Sequence, residues 1–279
     1  MKKRKSFSWS SCLMLLLFTA LAGITLLPFI SIFLASLRPG TEIMRQGLGL
    51  NLDTSVMSLS NYKYLFEDPR YFTWFFNSLL ITLVQTVLTV LISAFVAYGF
   101  AMYDFKCKNL LFICVLLVMM IPLEIIMLPL YRLIIRMGLI DNMWGIILPS
   151  VAGPMPIFFF RQYLSGISKD FLDAARIDGC TEYGIFFRII MPLMKPSFAA
   201  MGIFVGMNSW NGFLWPLIVL RSNDKLTLPI GLSSLITPYG NNYDLLLAGS
   251  VFSVIPIVIL FLLFQKHFIA GMTAGGIKG

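Results

Sequence analysis

The chain has 279 residues, of which 58% are hydrophobic and 12% charged. That apolar share exceeds the range of ordinary soluble domains and places the chain among polytopic membrane proteins. The net charge of +8 does not point to nucleic acid, because the basic residues fall in short runs between apolar spans, where topology bias explains them.

A bilayer core about 30 Å thick requires about 20 apolar residues of helix. Six segments meet that length, at residues 12–37, 72–103, 110–133, 142–163, 196–220 and 245–269. The expected architecture is an all-α membrane protein with a short N-terminal tail (1–11), a six-helix transmembrane domain (12–269, including a connecting loop at 164–195) and a short C-terminal tail (270–279). Lys2, Lys3, Arg4 and Lys5 precede the first apolar stretch, and Ala20-Leu21-Ala22 resembles a small-residue cleavage site. The apolar run continues to Leu37, too long for a signal peptide, so an uncleaved anchor is expected. Residues 38–71 form a polar loop long enough for a small helix. Cys12, Cys107, Cys114 and Cys180 show no metal-binding spacing and read as small hydrophobes, so neither a metal site nor a disulfide framework is expected.

Glu124 is an acidic residue well inside an apolar span, flanked by Pro122 and Pro129. An ionisable group at that depth is a candidate functional site, or it caps an irregular helix near the outer interface. In the loop at 164–195, Ser168 is placed to cap a helix carrying Asp170 in its first turn, Gly179 suits a left-handed stop, and Thr181 is placed to cap a second short helix ending before Pro192. On that second helix Tyr183, Phe186, Phe187 and Ile190 fall on one expected apolar face. Two short helices joined at a glycine make an elbow, which either lies on lipid headgroups or docks a partner. Asp173 and Arg176 stand three residues apart and can pair with each other or across a docking surface.

Further on, Asn208, Trp210, Asn211 and Trp215 combine amide donors with aromatic faces, the mixture that sugar hydroxyls and their apolar C–H faces require, the alternative being an interfacial aromatic belt. Residues 221–244 form a second polar loop with turn formers Pro229, Gly231, Pro238 and Gly240. With the N-terminus taken as cytoplasmic, the connecting segments on that side hold 13 Lys and Arg against 8 opposite, so both termini and the elbow are expected in the cytoplasm. His267 and the absence of an acidic pair at helical spacing argue against an intramembrane enzyme, while an ion-coupled secondary carrier using Glu124 remains a rival without the expected internal symmetry.

The segment DAARIDGCTEYGIFFRIIMP at 173–192 resembles the EAA motif of ABC importer permeases, with Asp173, Ala174, Ala175, Gly179, Ile189 and Pro192 at its hallmark positions. Asp173 stands for the usual Glu and Met191 for the usual Leu. The resemblance extends to Asn77-Ser78-Leu79, to Ala97-Tyr98-Gly99-Phe100-Ala101, to Ile121-Pro122 with Pro129-Leu130-Tyr131, and to the terminal FIAGMTAGGIKG. These features are similar to the carbohydrate-uptake branch, like the G subunit of the maltose system. FFRQY, FLWPLIVLRS, LPIGLSSL and PYGNNYD are closest to arabino-oligosaccharide permeases.

The resemblance implies a type I importer fold with a cytoplasmic coupling helix between spans four and five. It implies a second similar permease, a cytoplasmic ATPase dimer and an extracytoplasmic sugar-binding protein as partners, besides the oligosaccharide and membrane lipid, in a plasma or inner membrane. It assigns ATPase coupling to Asp173, Ala174, Ala175, Arg176, Gly179, Tyr183, Phe186, Phe187, Ile189 and Pro192. Tyr239, Gly240, Asn241, Asn242 and Tyr243 become candidate contacts for the binding protein, the alternative being an ordinary re-entry turn. No GxxxxGK[ST] phosphate loop is present, so the chain itself is expected to bind no cofactor, with ATP and Mg on the partner ATPase.

Overall fold

The structure, a computed structural model, describes residues 9–50, 53–237 and 240–274. With no water in a bilayer core, backbone N–H and C=O groups must pair within their own segment, and the apolar runs accordingly fold as helices. In chain order these are α1 (Trp9–Ser36), α2 (Gly40–Gln46), α3 (Ser60–Glu67), α4 (Pro69–Met102), α5 (Lys108–Met119), α6 (Leu123–Arg136), α7 (Trp144–Ile147) and α8 (Pro154–Leu164). There follow α9 (Asp170–Ile177), α10 (Glu182–Ile185), α11 (Met191–Leu193), α12 (Lys195–Trp210), α13 (Leu214–Val219), α14 (Leu228–Ser233) and α15 (Tyr243–Ala274). Two-residue strands β1 (Ile236–Thr237) and β2 (Gly240–Asn241) pair antiparallel before α15.

Among the described residues, four helical segments are long and apolar enough to cross a membrane: Trp9–Ser36, Pro69–Met102, Trp144–Leu164 and Tyr243–Leu263. Counting each bent pair of helices as one span raises the number to six. The expected continuous third span at 110–133 is broken, because α5 and α6 meet at 102° across Met120–Pro122. Pro122 lacks an N–H and its ring displaces the carbonyl four residues back, which ends α5. Pro129, by contrast, is accommodated inside α6. The expected fifth span at 196–220 is interrupted too. A continuous helix would bring the Pro216 ring against the Gly212 carbonyl, and α12 ends at Trp210 before α13 resumes at Leu214. The polar loop at 38–71 carries two short helices, α2 and α3, rather than one.

Contacts divide the chain into two units, residues 1–69 with 232–254, and residues 70–231 with 255–279. In the first, Asn61 is buried and its amide donates to the carbonyls of Ser36 (2.9 Å) and Arg38 (2.8 Å), closing the turn after α1. Ala35, Ile43 and Leu247 form its small core, with Tyr243 packed against them. Asn242 accepts from Leu245 N (3.1 Å) and so caps α15.

In the second unit the loop after α13 is pinned at several points. Asp141, in a left-handed turn at φ 59°, accepts from the backbone of Arg221 (2.9 Å) and Ser222 (3.0 Å) and from Lys225 Nζ (3.1 Å). These bonds, with the Ser222 hydroxyl foremost, hold its carboxyl well below the usual range. Asn77 donates to the carbonyls of Asp224 (2.9 Å) and Leu226 (3.0 Å), and Trp74 Nε1 to that of Asn223 (3.0 Å). Close packing between α6, α7 and α13 requires Gly145, where an added Cβ would collide with the Leu139 carbonyl oxygen and stand 2.9 Å from Val219. Gly145→Ala is therefore expected to cost about 1–3 kcal/mol of stability by overpacking. Gly202→Ala, at a position open to 4 Å, lowers nothing. Thermal unfolding of the two purified variants in one detergent checks the contrast.

Candidate functional site

The elbow is built by local chemistry. Ser168 Oγ accepts from Asp170 N (3.2 Å), one residue ahead of the position that formally precedes α9. The C-terminus of α9 closes as a Schellman turn: Cys180 N donates to Ala175 O (3.0 Å), Gly179 N to Arg176 O (3.0 Å), and Gly179 takes φ 77°. Thr181 Oγ1 then accepts from Gly184 N (3.2 Å) to cap α10.

The return half differs from the expected amphipathic helix in two respects. It does not end before Pro192 but runs on through α11 to Leu193, with residues Phe186–Ile190 wound as a wide π-turn. Moreover, the residues expected on one apolar face separate. Phe186 and Ile190 are buried with Ile185, whereas Tyr183 is 68% exposed and Phe187 53% exposed. For Phe187 the π-turn explains this, since a wider turn breaks the 3.6-residue period on which the face was counted. The buried face packs on protein. Leu172, Ala175, Ile185, Phe186, Ile190 and Met194 form one cluster with Val90, Ala94, Ala97, Tyr98 and Met102 of α4, Phe160 and Leu164 of α8, and Met201 and Val205 of α12. Ile189 packs at its edge, and Pro192 is exposed. The chain then turns by 80° into α12.

Asp173, Ala174, Arg176 and Gly179 lie on the exposed side of the elbow. Ile177 joins them at 86% exposed, a large apolar side chain at the tip that sequence reading did not single out. Arg176 pairs with Asp173 (3.3 Å), as its spacing suggests, and more closely with Glu182 (2.8 Å), which also bonds the Tyr103 hydroxyl. The Arg176 guanidinium lies 5.8 Å from the Tyr103 ring centroid. Arg176 first, then the Tyr103 hydroxyl, holds the Glu182 carboxyl below its ordinary value. This bridge clasps the two halves of the elbow together and to the end of α4. Glu182 and Tyr103 are 79 residues apart, and no local signal joins them.

A second feature is a cavity of about 480 Å³ lined by Gln85, Glu124, Ser150, Asn208, Ser209 and Trp215, among apolar neighbours. The structure thus brings together three of the candidate pathway residues. Glu124 stands in the first turn of α6. Asn208 Nδ2 donates to Phe204 O (2.7 Å), while Trp215 Nε1 is taken by Gly145 O (3.1 Å). Ser209 Oγ donates to Gln85 Oε1 (3.0 Å), a link between α12 and α4. Gln85, Ser150 and Ser209 escaped the sequence reading, although single polar residues in an apolar span are the signal that finds them. Trp210 is buried against Phe75 and does not line this cavity; Asn211 shares a neighbouring one with Asn208. Of the outer-loop candidates, Gly240 and Asn241 form β2, Asn242 caps α15, Tyr243 opens it, and Tyr239 lies outside the described residues.

Residues 89–274, which include the elbow and most of the cavity lining, match the family described as binding-protein-dependent transport system inner membrane component. The chain belongs to this family. It is similar to the arabinooligosaccharides transport system permease protein AraQ of Halalkalibacterium halodurans, 55% identical over 99% of this chain and 100% of that protein. The protein of the same name from Bacillus subtilis (strain 168) is 56% identical over 95% of this chain and 94% of its own length. Among solved structures, a bacterial ABC transporter involved in the import of the acidic polysaccharide alginate superposes with a TM-score of 0.82 at 25% identity, covering 94% of this chain and 99% of that one. The fold is therefore that of a type I ABC importer permease, a multi-pass membrane subunit, and the expectation from the elbow motif is met at the level of family and fold.

Because the Glu182 carboxyl is held below its ordinary value of about 4.3, the order conferred by the clasp is present above that value and lost as pH falls through the lowered one. In hydrogen exchange corrected for intrinsic rates, residues 170–190 of the wild type should be better protected at pH 7 than those of Arg176→Gln. The gap should close in acid, and its absence at pH 7 would count against the clasp.

Proposed function

We propose that this chain is one of two permease subunits of an ATP-driven, binding-protein-dependent importer of arabino-oligosaccharides. The observation that carries the reading is the elbow: an exposed tip of Asp173, Ala174, Arg176, Ile177 and Gly179 whose other face is buried against the ends of three membrane helices. Such an element transmits displacement, because a packed core shifts as a body rather than deforming. The tip rests in a cleft of a cytoplasmic ATPase, which binds ATP and Mg and performs the hydrolysis, and this chain forms half of the translocation pathway. Closure of the ATPase dimer drives the elbows of the two permeases together and switches the pathway between inward-open and outward-open forms. The excess of Lys and Arg on the elbow side supports a cytoplasmic location for both termini.

Glu124, Asn208 and Trp215, with Gln85 and Ser209, supply carboxylate, amide and hydroxyl groups beside an aromatic face, the mixture that hydroxyl-rich sugars require. Asn241, Asn242 and Tyr243, with Tyr239 and Gly240, are assigned to the contact with an extracytoplasmic sugar-binding protein. The arabino-oligosaccharide cargo is supported by identity above one half to two permeases bearing that name. The same machine carrying malto-, raffinose- or xylo-type oligosaccharides is the alternative cargo.

Uptake of labelled arabino-, malto-, raffinose-type and xylo-oligosaccharides in a strain deleted for this gene tests the cargo. Selective loss of arabino-oligosaccharide uptake, restored by the complementing copy, is expected; loss of another sugar alone would reassign the cargo. In the same strain Gly179→Leu should insert normally and fail to restore uptake. An added Cβ there meets nothing within 4 Å among the described residues, but the left-handed backbone at φ 77° costs it about 1–2 kcal/mol and the bulk sits on the docking tip. Wild-type uptake by this variant would refute the docking role.

A further inference from the structure

At the end of the bundle where α4 stops, α5 starts and α8 finishes lies a cavity of about 470 Å³, lined by Asp104, Lys108, Asn109, Leu110 and Arg161 together with Phe105 and Cys107. Arg161 is half-buried at the last turn of α8, its guanidinium carbon 3.9 Å from the centroid of the Phe112 ring. Its Nε is enclosed and has no hydrogen-bond partner, and no carboxylate stands within ion-pairing distance of it among the described residues. The single carboxylate at the cavity, Asp104, is already shared. It accepts from Lys108 Nζ (3.0 Å) and from Lys169 Nζ (3.1 Å), which hold it below its ordinary value and therefore charged. Lys106 lies in the same turn. Charge at this rim is thus unbalanced, and the partly buried Arg161 carries the excess with no ion-pair partner among the described residues.

A guanidinium withdrawn from water without an anion is costly, and an anion supplied from outside relieves the cost. Its planar fork matches a phosphate in two parallel hydrogen bonds, and the ring beneath it fixes the plane. The backbone start of α5 opens on the same cavity, and Cys107 provides no side-chain cap to its first N–H groups. Above the cavity, Leu110, Ile113 and Leu117 fall at i, i+3 and i+7 on α5 and are all exposed, Leu110 lining the cavity itself. A polar, cationic niche at the end of a membrane helix therefore continues directly into an uncovered apolar stripe on that helix. A free phosphate would satisfy only the first of these features, and a protein partner would need an acidic group flanked by an apolar one at the same spacing. A membrane phospholipid carries both in one molecule.

We propose that this cavity is a binding site for an anionic phospholipid, with its phosphate held by Arg161 beside Lys108 and an acyl chain lying along Leu110, Ile113 and Leu117. Arg161 then acts as a fixed anchor at the membrane boundary that ties the α4–α5 turn to the end of α8 through a lipid. The site is separate from the elbow tip and from the Glu124 cavity, and it stands whichever sugar the importer carries.

The test uses the assembled importer, delipidated in detergent and titrated with phosphatidylglycerol under native mass spectrometry. Wild type should retain one phosphatidylglycerol that Arg161→Gln binds at least tenfold more weakly and that Arg161→Lys largely keeps. Equal retention by Arg161→Gln would overturn the proposal, as would equal binding of phosphatidylcholine. Inorganic phosphate competing at the same concentration as the lipid would show a bare anion site and overturn the lipid assignment. Should Arg161→Gln fail to assemble, a photoactivatable phosphatidylglycerol on the wild-type complex decides: adducts must map to residues 104–117 or 154–164, and adducts confined elsewhere would refute the site.

Discussion

The arrangement depends on the burial of the elbow's return half. Ile185, Phe186, Ile190 and Met194 are each at most 1% exposed and share one core with the ends of α4, α8 and α12. Burying four such side chains contributes on the order of several kcal/mol at about 1.5–3 kcal/mol each, far more than exposed ion pairs supply. The clasp of Arg176 and Glu182 orders the elbow; the buried aliphatic and aromatic side chains hold it to the bundle. Phe95 adds to this fit from α4, stacking on Tyr183 at 6.1 Å and meeting Phe186 edge-on at 5.2 Å.

What sequence could read was what local chemistry decides. A glycine two residues before a threonine cap announces the elbow, and the Schellman bonds and the Thr181 cap form where Gly179 and Thr181 place them. The helical class and the approximate spans follow from the apolar runs. Less legible was the orientation of faces. In a chain this apolar, core-facing and lipid-facing positions carry the same residue types, so Phe186 and Phe187 look alike in sequence while one is buried and the other open. The π-turn at Phe186–Ile190 breaks the period that places both on one expected face.

Proline shows the same limit from another side. Pro122, Pro129 and Pro216 all stand within expected spans, yet Pro129 is absorbed into α6, Pro122 stands at the break before α6, and Pro216 lies in the first turn of α13. A proline removes one donor and crowds one carbonyl; whether the helix bends or stops depends on what satisfies the freed carbonyl, and that is a tertiary matter. The clasp at Tyr103, the Asp141 pins and the Gln85–Ser209 link are likewise pairings between distant segments. Each joins residues whose partner no local pattern in the sequence indicates.

Helix α12 connects these parts mechanically. It begins at Lys195, immediately after the buried Met194 that closes the elbow, and ends near Asn208 and Ser209 at the cavity. Its 16 residues span about 24 Å as a helix. The 80° turn into it means that a displacement of the elbow along one direction tilts α12 rather than sliding it along its axis. A tilt about its packed base moves the far end most, and the far end carries Asn208 and the hydrogen bond from Ser209 to Gln85. The break at Asn211–Phe213 then separates α12 from α13, whose base is fixed by Trp215 to Gly145 and, through Asp141, to the loop beyond. Under the proposed function the polar cavity therefore lies between a helix that the elbow can tilt and a segment that is pinned. A change in its width is the simplest consequence of moving one wall and holding the other.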